Sequence, residues 1–189
     1  MIAKTKSGFF RIRAGFTLVE ILVVVSITVL LSGIALTYNR SSERQVLVYK
    51  DQAVIVGVLQ KAKSFAIQRY RDLSLVDHIA CAFGLHFTGL NSREFILFQD
   101  LGEGSCDPLN ANYAYDATAD PAEGIETFKL DERLRFTGVP EEGLDILFLP
   151  PELKVLSSVP LPVTIGIETV RDDFSGFITI SPVGQIITE

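Results

Sequence analysis

The chain predicts an α+β fold: a long N-terminal helix, transmembrane in its first half and amphipathic in its second, packed against an antiparallel β-sheet domain. Three observations carry this expectation. Residues 16–36 read FTLVEILVVVSITVLLSGIAL, an apolar run of spanning length. Apolar side chains then recur at helical spacing to about residue 70. Beyond residue 72 the pattern switches to short β-rich segments separated by turn residues.

These shifts divide the chain into a basic leader (1–15), a transmembrane helix (16–36), its amphipathic continuation (37–70) and a globular β-rich domain (71–189). About 20 residues at 1.5 Å each cross a hydrocarbon core of about 30 Å. The leader holds 4 of the 17 Lys and Arg, namely Lys4, Lys6, Arg11 and Arg13, and none of the 23 Asp and Glu. Without it the side-chain charge goes from −6 to 13 − 23 = −10. Basic residues before the span put the leader in the cytoplasm and the acidic domain across the membrane. About 150 residues follow the span, enough for one hydrophobic core.

Glu20 is the sole ionisable side chain of the span. An acid at the centre of a spanning helix costs about 2.5–3.5 kcal/mol, and less near an end where it snorkels toward the headgroups. Such a residue needs a partner. Around it, Gly15-Phe16-Thr17-Leu18-Val19-Glu20 resembles the type IV prepilin signature G-F-T-L-x-E, shared by type IV pilins and the pseudopilins of type II secretion, and matches every specified position. The resemblance implies cleavage after Gly15 by prepilin peptidase, methylation of the Phe16 amine, and assembly of subunits on an inner-membrane platform into a fibre. It also implies that Glu20 meets the positive N-terminus of a neighbouring subunit. Two groups that are each costly in lipid then compensate one another when subunits are in register.

Two other readings account for less. An ordinary secretory signal would use Gly33-Ile34-Ala35 as its cleavage site, but its apolar region runs about 7–15 residues and does not carry an acid near its start. An uncleaved anchor explains the length and leaves Glu20 and the hexapeptide to chance.

From Tyr38 to about Tyr70 there is no proline, and Val48, Ile55, Leu59, Ala62 and Ala66 share one helical face, widened by Val58 and Phe65. Arg44, Lys50, Asp51, Gln60, Lys61 and Gln68 are expected as polar cover. With the span this makes a helix of ~50 residues or ~75 Å, with Gly33 and Gly57 as candidate points of bending or close packing. Many major pilins have a proline just beyond the span; Thr37 stands near there, so no proline kink is expected.

The expected strands are Phe83–Phe87 and Glu94–Phe98, a hairpin turning at Thr88–Ser92, then Ile125–Leu130, Leu134–Phe136 and Asp145–Leu149. A final meander takes Pro162–Val170, Gly176–Ser181 and Gln185–Thr188. One antiparallel sheet laid on the amphipathic helix would bury both apolar faces, the pilin fold that the resemblance implies. FGLHF, EFILF, DILFLPP and the ending GFITISPVGQI are similar to minor pseudopilins of the H type and to related minor pilins that include DNA receptors. The DNA receptors carry a basic tail. Here Ser181–Glu189 contains no Lys or Arg, so phosphate neutralisation has little to drive it and nucleic acid is not an expected partner.

Cys81 and Cys106 lie in the exported part, where an even count favours a disulfide; two separate thiols are the alternative. Neither pairs with His78 or His86 at a zinc spacing. The 102–124 loop, with Asp107, Asn110, Asn112, Asp116, Asp120 and Glu123, holds oxygen ligands of the kind calcium uses but no EF-hand spacing, so a solvated turn is expected and no metal is assigned. Tyr113 and Tyr115 are a candidate contact patch, and His86 is expected to face solvent. No G-x-S-x-G, H-E-x-x-H or P-loop motif occurs, and no cofactor or enzymatic activity is expected.

The expected product is a minor pilin or pseudopilin, anchored by one pass in the cytoplasmic membrane and then assembled outside it, with prepilin peptidase, other subunits, the assembly platform and lipid as partners. A DNA-uptake minor pilin and an unrelated membrane-anchored domain are the alternatives.

Overall fold

The computed structural model describes residues 15–68, 78–107, 111–119, 122–171 and 174–189. Helix α1 (Leu18–Gln68) is followed by β1 (His78–Phe87), β2 (Glu94–Glu103), β3 (Gly124–Lys129), β4 (Leu134–Thr137) and β5 (Leu144–Leu149). Then come β6 (Lys154–Ser157), β7 (Val163–Thr169), β8 (Ser175–Ile180) and β9 (Ile186–Thr188). The chain divides into two compact units, Met1–Ser42 and Glu43–Glu189. The architecture is α+β and pilin-like.

In the first unit, Leu18–Ala35 forms 18 residues of mean hydropathy 2.5 with no residue buried, long and apolar enough to cross a membrane. Its hydroxyls are satisfied within the helix, as a lipid environment requires. Ser26 Oγ donates to Leu22 O at 2.8 Å, Thr28 Oγ1 to Val25 O at 2.9 Å and Ser32 Oγ to Thr28 O at 2.7 Å.

The second unit packs the later part of α1 against two antiparallel sheets rather than the single sheet expected. One has the order β3-β2-β1-β5-β6 and the other β4-β7-β8-β9. The division could not be read from the sequence, because the strands of both sheets carry the same alternation and differ only in which edges they pair. Val48, Ile55, Val58, Leu59, Ala62 and Ala66 are buried from the helix side. Phe83, Leu85, Phe87, Phe95 and Leu97 meet them from the five-stranded sheet, and Ile165, Ile167, Ile178 and Ile180 from the other, in one core. Phe87 stacks on Phe95 and takes the edge of Phe136, with centroids 5.8 and 5.2 Å apart, contacts that add to the burial of the rings.

The first hairpin pairs Phe87 with Phe95, Leu85 with Leu97 and Phe83 with Gln99. Its turn places Gly89 at φ 122° and Asn91 at φ 60°, left-handed conformations that these two residue types tolerate best. Strand β1 starts at His78, five residues before the expected Phe83, and bulges between Ala80 and Ala82. Strand β6 was not expected: only Val155 of its four residues is buried and prolines precede it, so it shows no alternating run. The expected helix end near Tyr70 lies outside the described residues.

Asp51, expected as polar cover, is buried. Its Oδ2 accepts the Asp131 backbone N–H at 2.8 Å, and the neighbouring Gln52 donates to Phe177 O at 2.8 Å. Arg133 links the same region by ion pairs to Asp131 at 2.9 Å and Glu43 at 2.8 Å, and holds the Asp131 carboxyl below its usual range. Helical period assigns a residue to a face but does not show that the β3–β4 connection brings an unpaired amide to that point.

Asp51→Ala should therefore destabilise the protein by about 1–3 kcal/mol, the cost of a buried amide left unpaired. Lys50→Ala, which removes only an exposed partner 3.8 Å from Asp51, should change stability by less than about 0.5 kcal/mol. Denaturant titration of the full chain in detergent checks both.

Candidate functional site

The start of α1 is built by a short capping device. Thr17 stands before the first helical residue, its Oγ1 accepts the Glu20 N–H at 3.2 Å, and its carbonyl oxygen accepts the Ile21 N–H at 3.2 Å. Thr17 and Glu20 are thus the first and last members of a T-x-x-E capping sequence. Glu20 sits in the first turn, at the positive end of the helix dipole. Phe16, Glu20, Ile21, Val24 and Val25 line a shallow groove along one side of the helix. Phe16 is 80% exposed, so in the single chain neither the aromatic side chain nor the groove beside Glu20 is covered. Gly15 is exposed just before it.

A second polar cluster lies on the outer face of the five-stranded sheet, away from α1. Ala82, Phe98 and Leu147 form a small core there, against which Tyr113 and Tyr115 pack. The two tyrosines are thus half-buried rather than an open contact patch. His86 is not solvent-facing either. Its Nδ1 lies 2.7 Å from Asp145 Oδ1 and its ring 4.7 Å from the Tyr115 centroid. The covering segment is pinned by Tyr115 N–H to Asp145 Oδ2 at 3.3 Å, Asp116 N–H to Glu123 Oε2 at 2.7 Å and the Tyr113 hydroxyl to Cys106 O at 2.6 Å. Cys81, at the bulge in β1, and Cys106 are joined by a disulfide with Cα atoms 5.3 Å apart.

The oxygen-rich segment therefore differs from the solvated turn expected. Asp116 Oδ1 accepts both the backbone N–H and the hydroxyl of Thr118 at 2.7 Å, which lowers its pKa, and Asn112 Oδ1 accepts the Ala114 N–H at 3.0 Å. Among the described residues no three His, Cys, Asp or Glu side chains converge as a metal site. Asn110 and Asp120 lie outside the described residues.

Residues 10–36 match the family described as the prokaryotic N-terminal methylation motif. That motif implies processing by prepilin peptidase and a pilin or pseudopilin role. With the apolar helix Leu18–Ala35 it indicates anchoring in the inner membrane before assembly. Proteins of this kind are typically structural, not enzymatic. No curated protein and no solved structure matches the chain.

The structure brings Phe16 and Glu20 to one groove at the start of the helix and places Cys81 and Cys106 in the other unit, beside the outer-face cluster. The sequence reading missed Thr17 as the helix cap, although T-x-x-E ahead of an apolar run was a usable signal. It also missed the pairing of His86 with Asp145, which depends on β1 and β5 being neighbours in the register His86↔Asp145.

Non-reducing peptide mapping of the exported protein should yield one linked Cys81–Cys106 pair. Reduction should lower the stability of the full chain in detergent by about 3 kcal/mol, the loop-closure entropy released to the unfolded chain. Free thiols in the mature protein would contradict the pairing.

Proposed function

We propose that the chain is a minor pilin or pseudopilin subunit, similar to the H type, cut after Gly15, methylated at Phe16 and assembled into a type II secretion pseudopilus or a type IV pilus. The observation that carries this reading is the methylation motif at 10–36 joined to an exposed apolar helix whose single acid stands in its first turn. In this reading 1–15 is the removed leader with its N-terminus in the cytoplasm. Residues 16–36 span the membrane, 37–70 continue the helix and 71–189 form the exported domain.

The work of such a subunit is assembly. Cleavage creates an ammonium at Phe16 next to the groove that holds Glu20. In a fibre, the carboxylate of one subunit neutralises the amine of the next, while Ile21–Leu36 exchanges lipid contacts for helix contacts. Val46, Tyr49 and Ile67 remain exposed on the helix of the second unit, which supports further burial between subunits. In this reading the β-rich domain faces outward from the fibre. The side-chain charge of −10 after cleavage and a tail without Lys or Arg favour this role over DNA capture.

Mass spectrometry of the membrane-extracted protein should show a mature chain beginning at methylated Phe16, and Gly15→Leu should leave the full precursor inserted but uncut. A mature chain beginning at Leu36 would instead identify an ordinary signal sequence.

Glu20→Val should raise membrane levels, by removing a penalty of about 1–3 kcal/mol, and lower the amount recovered with sheared fibres. Glu20→Gln separates charge from capping, because glutamine keeps the capping geometry without the charge. Poor incorporation of both variants supports register by charge; normal incorporation of Glu20→Gln assigns the residue to capping alone.

A further inference from the structure

The outer face of the five-stranded sheet carries a charge problem that fibre assembly does not use. Asp100 follows Phe98 by two residues along β2 and so lies on that face. It is 0% exposed, and neither carboxylate oxygen has a hydrogen-bond partner. A desolvated carboxylate with no partner is strongly disfavoured, so a native structure that keeps one compensates it with a proton or a cation. The backbone amides of Tyr113 and Asn112, in the covering segment, favour the charged carboxylate, and burial outweighs them.

The other charged groups around it do not supply the compensation. Glu123, just before β3, is buried, and its charge and that of Asp100 oppose one another. Asp116, next to Glu123, adds a further negative charge. From β1 and β5 the same face carries His86 and Asp145, which are engaged with each other. Tyr113 directs its hydroxyl to Cys106 O.

We propose that Asp100 is a proton-operated latch for residues 111–119: protonated, it lets the segment close over the sheet, and ionised, it draws in water and loosens it. The closed form is what the structure shows, with Tyr113 and Tyr115 on Phe98 and Leu147 and the amides of Tyr115 and Asp116 bonded to Asp145 and Glu123. The Cys81–Cys106 disulfide before the segment and strand β3 after it limit how far it opens.

The direction of the pH effect follows from linkage. Burial pushes the Asp100 carboxyl from 3.8 up to about 6, so the closed form binds the proton more tightly than the open one. Its stabilisation is full below about pH 4, declines as pH rises toward about 6 and is lost above. Burial raises Glu123 too, which acts in the same direction. Asp116, held low by Thr118, has its effect below this window.

Hydrogen exchange of the full chain in detergent, corrected for the intrinsic pH dependence of exchange, tests the latch. Protection of the amides in 111–119 should fall roughly 10- to 100-fold between about pH 4.5 and 7.5, the range set by a shift of about two pKa units. Asp100→Asn should flatten this slope, leaving only the part that Glu123 contributes. Protection independent of pH in the parent chain, or an unchanged slope in Asp100→Asn, which leaves His86, Asp145 and Glu123 in place, would overturn the proposal. If calcium chloride restores protection at neutral pH in the parent chain and not in Asp100→Asn, the site takes a cation and the latch is overturned. Should the variant not fold, carbon-13 titration of the Asp100 carboxyl in the parent chain decides: a midpoint near 6 supports the latch and one near 3.8 removes it.

Discussion

The globular unit depends on one constraint, the burial of a single stripe of α1 by two sheets at once. Val48, Ile55, Leu59, Ala62 and Ala66 occupy that stripe, and each is essentially inaccessible. Neither sheet has another apolar layer of comparable extent. Their inner faces, rich in Phe on one side and Ile on the other, meet in the core that the helix completes.

Apolar contact does not by itself fix the helix along its axis. Polar groups inside the contact do that. Asp51 takes the Asp131 amide, Gln52 reaches the Phe177 carbonyl and Lys63 donates to Gly184 O at 3.1 Å. Each is satisfied in one position of the helix only, and a displacement by one turn would leave buried polar groups unpaired. The outer face of the five-stranded sheet follows the same rule, with Asp145 serving both His86 and the Tyr115 amide. Asp100 is an exception on that face: it is buried with neither carboxylate oxygen paired, and it is the group on which the proposed response to protonation rests.

The first unit obeys a different solvent. Its apolar surface is fully open in the single chain, and the hydroxyls of Ser26, Thr28 and Ser32 turn back onto the helix. Thr17 caps the helix start with its side chain. Glu20 is the one charged group of residues 16–36, at the end of the helix where the backbone dipole favours a negative charge. Helix capping and the proposed subunit register are therefore compatible demands on one hexapeptide.

What the sequence by itself determined were properties that short-range chemistry controls. The long apolar helix segment follows from hydropathy, the buried stripe from a 3.6-residue period, and the first hairpin from two alternating runs around Gly89 and Asn91. The methylation motif is likewise local, and it was legible as written. Tertiary structure alone decided which strands share a sheet, that Asp51 is buried, that β6 exists, that Tyr115 covers His86 and that Tyr113 packs on the same sheet face. These depend on contacts between residues tens of positions apart, such as Asp51 with Asp131 and His86 with Asp145. A pairing of that kind leaves no periodicity in the chain, because its free energy is realised only once both partners have been brought together and removed from water.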